Sequence, residues 1–355
     1  MANVFNNLQD PGIYWSPRAC KDIDFSTNTT WKRIASVEDI TDEVVNLIKS
    51  IGVITFYGEN TDTERASFAF TINRGEWVRE KYNKNKNYGS VYQWSYFLAY
   101  KDIIDPLFEK LDIKYPDTFN IWTNTNCNTG NSDGSNAVQW MINLKHNSTR
   151  LSFKHEDAYG IEVYNVALSR IQSPLNVSVN KDNVYNKHGI YYCEQHPNND
   201  DTMFYRISEN CTFENTVRPK YIMFNTLSWT DDERKPFWIQ IEENNEFEKS
   251  VWDESRPKLT KYQWDIFLAH KDLVDRLYTY LNKDKEIGTF DIYGISDFVW
   301  TSTDYAVKEN TLGYYEVNNK KGKGIKWVVC PSLRTSQIMF RSKTKCNYPK
   351  VGLWE

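Results

Sequence analysis

The chain has 355 residues, of which 40% are hydrophobic and 15% aromatic, and a formal net charge of −4. That length accommodates two domains of ordinary size, each with its own core. Acidic and basic residues are interspersed without a basic stripe, which argues against a nucleic-acid partner, and no run of about 18 apolar residues is present to insert in a membrane.

The first residues, MANVFNNLQDPGIYW, lack the charged and then apolar pattern of a Sec-type signal peptide, so none is expected. Strands are predicted at residues 12–15 and 31–34. Ser36 can cap a helix with the stripe Ile40, Val44, Leu47, Ile48 and Ile51, which Gly52 ends in the position favoured for a left-handed cap. Strands at 53–57 and 67–72 flank the polar turn NTDTER. Residues 92–107 read as a helix, and Asp105-Pro106 predicts a break in it, with Asp as N-cap and Pro as the first residue of a second short helix. The strand Trp122-Thr123-Asn124-Thr125 follows, then a long loop and strands at 138–144, 150–154 and 160–166. Residues 170–183 are polar, contain Pro174 and show no sustained apolar period, which is the pattern of a linker.

The second half then repeats the first. YQWSYFLAYKDIIDPL at 92–107 and YQWDIFLAHKDLVDRL at 262–277 agree at ten of sixteen positions, where unrelated sequence would agree at about one. Other pairs keep the same order. Gly12-Ile13-Tyr14 answers Gly189-Ile190-Tyr191, Arg33-Ile34 answers Arg206-Ile207, and Glu64-Arg65 answers Glu233-Arg234. Phe68 answers Phe237, Ile72 answers Ile241, and Trp122-Thr123-Asn124-Thr125 answers Trp300-Thr301-Ser302-Thr303. In the repeated helix Trp264, Phe267, Leu268, Val274, Leu277, Tyr278 and Leu281 follow helical spacing, so one side should lie on a sheet. Strands at 313–317, 325–329 and 336–341 are matched to 138–144, 150–154 and 160–166. The expected fold is α+β: two tandem homologous domains, 1–172 and 184–355, joined by a linker at 173–183. Each would hold a mixed or antiparallel sheet with one or two packed helices.

No P-loop, GxGxxG, HExxH, GxSxG or paired Cys/His metal signature occurs. His188 and His196 flank a turn, but a loop histidine pair is weak grounds for a metal. His270 stands where the other copy has Tyr100, so the copies share no catalytic histidine. The six cysteines form no CxxC and do not align between the halves, the pattern of free buried thiols. Asp231, Asp232 and Glu233, with Asp62 and Glu64 in the other copy, offer the paired carboxylates a glycosidase needs. They fall in a turn between strands, where solubility and turn geometry already explain them. The segment 126–134, with Asn128 and Asp133, alternates oxygen side chains as a calcium loop does, yet it has a single carboxylate and no bidentate Glu. No catalytic residue, metal or cofactor is therefore assigned, and the chain is read as a non-enzyme.

What remains is a shared Trp-Thr-x-Thr strand beneath loops that differ, NCNTGNSDGSN in one copy and DYAVKENTLG in the other. A common scaffold under divergent loops suits a binding surface. The candidate ligand or partner contacts are Trp140, Asn128 and Asp133 at the first loop and Tyr305, Tyr314 and Tyr315 at the second. For Tyr314 and Tyr315, simple alternation between core and solvent is the competing explanation.

Residues 258–268 (KLTKYQWDIFL) and 298–303 (FVWTST) resemble the "LPTxxEWxxL" helix and "YWSST" strand of C-type-lectin-like modules in bacterial surface proteins and phage adhesins. Tyr92-Gln93-Trp94 and residues 121–125 carry the same marks in the first copy. Residues 5–15 (FNNLQDPGIYW) are similar to the "LxxPGIYYI" opening of phage tail-fibre knob repeats, without the closing W-x-x-W. The resemblance implies a lectin-like fold and a virion structural protein of a tail, collar or head fibre. Its partners would be other virion proteins, further copies of itself and a host-surface glycan, with assembly in the bacterial cytoplasm. The calcium ligands and disulfides of sugar-binding lectins are missing, so calcium-dependent sugar binding is not implied. A structural adaptor without a receptor is the alternative function, and a glycan-degrading enzyme a more distant one.

Overall fold

Residues 12–15, 32–57, 64–115, 119–126, 138–154, 156–165, 178–208, 213, 218–241, 248–281, 298–305 and 324–355 are described by the computed structural model. It divides into two units, Met1–Pro174 and Leu175–Glu355. Both are α+β, with mainly antiparallel sheets and few helices.

In the first unit one sheet contains β1 (Gly12–Trp15), β2 (Lys32–Ile34), β3 (Val53–Tyr57), β4 (Phe68–Thr71) and β10 (Val163–Asn165). Their order is β10-β4-β3-β1-β2. Alternation along β3 and β4 puts Phe56, Phe68 and Phe70 on one face. There they stack on one another and meet Trp94 and Phe97 of α2 (Val91–Ala99). The second sheet runs β5-β9-β6-β7-β8, from β5 (Val78–Glu80), β6 (Asn120–Asn126), β7 (Val138–Asn143), β8 (Ser148–Phe153) and β9 (Ala158–Gly160). Helix α2 also packs on β6 and β7, which is why it is buried on nearly every side rather than along one stripe. Each large apolar side chain so covered contributes about 1.5–3 kcal/mol.

Local signals set the helix ends. Gln93 N donates to Ser90 Oγ (2.9 Å) while Ser90 N donates to Gln93 Oε1 (2.8 Å), a reciprocal capping box. Thr41 Oγ1 accepts from Val44 N to cap α1 (Asp42–Ile51), and Gly52 ends it at φ 75°. Ser36 heads a short 3-10 turn, Val37–Asp39, instead of α1 itself. The long helix does break, but at Tyr100 and not at Asp105-Pro106. Tyr100 leaves helical geometry at φ −116°, ψ 19°, and α3 (Lys101–Lys110) runs through Pro106. Pro106, inside α3, removes a single helical bond, while Asp105 is engaged by Lys101 Nζ one turn back.

The second unit has β12 (Gly189–Cys193), β13 (Phe204–Arg206), β14 (Tyr221–Asn225), β15 (Phe237–Gln240), β16 (Glu248–Ser250), α5 (Lys261–Ala269), α6 (Lys271–Leu281), β17 (Val299–Asp304), β18 (Ile325–Cys330), β19 (Thr335–Phe340), β20 (Cys346–Tyr348) and β21 (Val351–Leu353). Its strands run β21-β15-β14-β12-β13-β11 and β16-β20-β17-β18-β19, the orders of the first unit with one strand, β11 (Ser178–Val179), added at an edge. In each unit one pairing inside the second sheet is parallel, β6 with β9 and β17 with β20. Thr260 and Gln263 repeat the capping box on α5 (3.0 and 2.8 Å), and the helix breaks again at His270 (φ −116°, ψ 12°). β1 and β12 both open on a glycine at φ 151°, across from the guanidinium groups of Arg33 and Arg206. That shared geometry accounts for the repeated Gly-Ile-Tyr and Arg-Ile pairs.

Three further expectations need correction. The stretch 173–183 is not wholly a linker. Ser178–Val179 forms β11 on the edge of β13, and Asn180 caps α4 (Lys181–Tyr185), so structured chain begins well before residue 184. Residues 160–166 are not one strand, because Ile161 and Glu162 carry the chain from β9 in one sheet to β10 in the other. The late strands also pair differently. β7 answers β18, β8 answers β19, and β9–β10 answer β20–β21, because each ladder is defined by its neighbour and the loop before β18 is longer than that before β7. Residues 313–317 lie outside the described residues.

Candidate functional site

The Trp-Thr-x-Thr strand is held from both sides in each unit. Trp122 and Trp300 are buried and donate from Nε1 to the carbonyls of Glu80 (2.8 Å) and Ser250 (2.9 Å). The first threonine donates across the ladder, Thr123 to Trp140 O (2.9 Å) and Thr301 to Trp327 O (2.7 Å). The second accepts the first amide of the helix, Val91 N on Thr125 and Lys261 N on Thr303, each at 2.9 Å. Across these contacts both ladders shift register, between Trp122 and Asn126 and between Trp300 and Asp304. The threonines thus tie the end of the strand to its ladder neighbour and to the helix.

Trp140 is half-buried on β7. Its counterpart by strand register is Trp327 on β18, also half-buried, which the sequence reading missed because the late strands were matched one place out. Tyr305 meets Trp327 edge-on, with centroids 5.5 Å apart at 71°, and burial pushes its phenol pKa up. Lys261 Nζ lies 5.5 Å from the Trp327 ring and 5.2 Å from that of Tyr262. It is paired with Asp265 one turn along, both fully buried, whereas Val91 and Ser95 take those places in the first unit. Asn128, Asp133, Tyr314 and Tyr315 fall outside the described residues, so of the six candidates the structure places Trp140 and Tyr305, in different units.

Two further aromatic groups belong to the second unit. Tyr185 of α4 stacks on Trp229 at 4.3 Å and 14°, with Trp354 5.1 Å from Trp229. Asn225 holds the α4 end in place by donating to the carbonyls of Val184 (2.7 Å) and Tyr185 (3.1 Å). Trp252 has Lys258 Nζ at 4.6 Å, Lys326 Nζ at 4.5 Å and the Arg341 guanidinium at 5.4 Å from its ring. Burial holds the Lys258 amine below its ordinary range. Tyr185 falls between the expected linker and the first expected strand of the second copy, where the sequence predicts no element, and Trp252 and Trp229 have no tryptophan opposite them in the first copy.

The remaining polar groups are engaged locally. Asp231 accepts from Arg234 Nε (2.7 Å) and Glu233 N (3.1 Å), and Asp232 pairs with Lys235 (2.5 Å), so this acidic turn is organised by its own neighbours. His188 faces His270 at 6.3 Å between rings, while His196 sits between Tyr221 and Trp238 and accepts from Asn198 N at Nδ1. The two turn histidines therefore serve different surroundings. Among the described residues no group of three His, Cys, Asp or Glu side chains is placed to hold a metal ion, and no helix is long and apolar enough to cross a membrane. Cys193, Cys330 and Cys346 are buried. Comparison with protein-family models, curated proteins and solved structures finds no match for this chain.

Proposed function

We propose that the chain is one lectin-like domain written twice, and that it serves as a virion structural protein of a phage tail, collar or head fibre. It would assemble with other virion proteins and with copies of itself, and offer its loops to a host-surface glycan. The observation that carries the duplication is the strand order the two units share, the added edge strand β11 apart, down to the single parallel pairing. The reading of function rests on what that scaffold supports. Each Trp-Thr-x-Thr strand anchors a loop of different sequence beside a half-buried tryptophan, Trp140 or Trp327. Two such platforms on one chain raise apparent affinity through effective concentration, and a doubled chain in a ring doubles the symmetry it presents to a neighbour. The virion setting comes from the sequence resemblance, which marks it as an argument by analogy.

A glycan array of the purified chain, together with mass photometry, tests this. Specific glycan binding that weakens about tenfold or more in Trp327→Ala or Tyr305→Ala, a loss of about 1.4 kcal/mol, supports attachment through this platform. Ring or fibre formation without glycan binding supports an adaptor. A monomer that binds no glycan overturns the proposal.

A further inference from the structure

Two places where the units differ are exchanges of large for small across paired strands, and both involve the last two strands of a unit. In the first unit Tyr88 precedes α2, its hydroxyl accepting from Asn83 N (3.3 Å) and donating to Glu80 Oε1 (2.9 Å). Opposite it on β9 stands Gly160. A β-carbon there would lie 2.9 Å from Tyr88 Cε1 and 2.0 Å from Glu80 Oε1, a carboxylate held by both Tyr88 and Lys86. In the second unit Lys258 replaces Tyr88, and Tyr348 of β20 replaces Gly160. The phenol now comes from the other side: Tyr348 accepts from Asp253 N (2.6 Å), the counterpart of Asn83, and donates to Val251 O (3.0 Å).

The second exchange lies in the other sheet. Tyr164 on β10 pairs with Ala69 on β4, whereas on β21 it is Gly352 that pairs with Trp238 on β15. A β-carbon on Gly352 would lie 2.5 Å from Trp238 Cζ2. Residues 158–165 therefore carry small then large, and residues 346–353 carry large then small.

We infer that these four pairs form a two-position key that restricts each closing segment to its own unit. Residues 346–353 placed in the first unit bring Tyr348 against Tyr88 and Glu80, and leave Gly352 opposite Ala69 with a gap. Residues 158–165 placed in the second unit set Tyr164 against the Trp238 indole, and leave the space of the Tyr348 ring empty. Either mistake brings one overlap, together with an uncovered Ala69 in the first unit, where Tyr164 is itself 41% exposed, or an empty Tyr348 space in the second, where that ring is buried. Two units of the same topology on one chain need such discrimination, since misassembly between like modules is the characteristic failure of repeat proteins.

The test uses the full chain and denaturant unfolding. Exchanging residues 158–165 and 346–353 should lower the unfolding midpoint. Adding Tyr88→Lys, Ala69→Trp, Lys258→Tyr and Trp238→Ala to the exchanged chain should recover most of that loss. Should the exchanged chain fail to fold, the smaller cycle decides: Gly160→Ala should destabilise the native background and do so at least about tenfold less, in folded-to-unfolded ratio, beside Tyr88→Lys. An exchange without loss, a loss that the four added substitutions do not recover, or a Gly160→Ala effect indifferent to residue 88 overturns the inference.

Discussion

Trp94 Nε1 donates to the carbonyl of Tyr88 at 2.7 Å, whereas Trp264, in the same place on α5, has no acceptor for its indole nitrogen. Both rings are fully buried and pack edge-on against the phenylalanine three residues on, Phe97 and Phe267, at 5.5 and 5.3 Å. The chain thus contains its own control for one buried hydrogen bond.

Trp94→Phe should accordingly destabilise the protein by about 1–2 kcal/mol more than Trp264→Phe, the cost of stranding a buried carbonyl beyond the shared loss of ring volume. Urea unfolding of the two variants side by side measures the difference. Equal losses would mean that the Trp94 bond contributes nothing net.

Thr125→Val and Thr303→Val keep the side-chain shape but remove the oxygen that accepts the first amide of each helix. Each should cost about 1 kcal/mol, as loss of a helix N-terminal acceptor generally does. Amide exchange at Val91 or Lys261 should quicken in the matching variant and stay unchanged in the other unit.

Cys193 is buried on β12, and burial pushes its thiol up to about 12 from an ordinary 9.0. Below pH 9 the thiol is protonated folded or unfolded, so it adds no pH dependence. Between pH 9 and about 12 the unfolded thiol ionises first, and stability falls as pH rises, by up to about 1.4 kcal/mol per pH unit. Cys193→Ala should flatten that part of the stability–pH curve relative to the parent. An unchanged slope would show that the thiol ionises equally easily in the folded chain.

How much of this was legible in the sequence depended on the range of the interaction. The Gly52 cap is a contact within four residues and was read from the sequence directly, whereas the equally local pairs Ser90 with Gln93 and Thr260 with Gln263 were passed over. The recurring Trp-Thr-x-Thr strand was visible because each of its outer residues has a bonding partner that the fold requires twice. The break at Tyr100 was hidden, since Asp105-Pro106 is the stronger local signal while burial of α2 against two sheets governs where the helix ends. Trp327 was obscured by loop length, which shifted the matching of the late strands by one. Tyr88 with Gly160 and Lys258 with Tyr348 were invisible to comparison by identity. Their residue types disagree at every position, and only the cross-strand register makes the disagreement meaningful.

In each unit the strand that completes the first sheet is the final one to be made: β10 beside β4, and β21 beside β15. On a translating ribosome β10 emerges while β21 does not yet exist, so the earlier half can settle with no rival for its vacant edge. Dilution from denaturant releases both candidates at the same moment. Newly synthesised protein therefore meets an easier problem than refolded protein of identical sequence, and yield after denaturation should trail yield at birth.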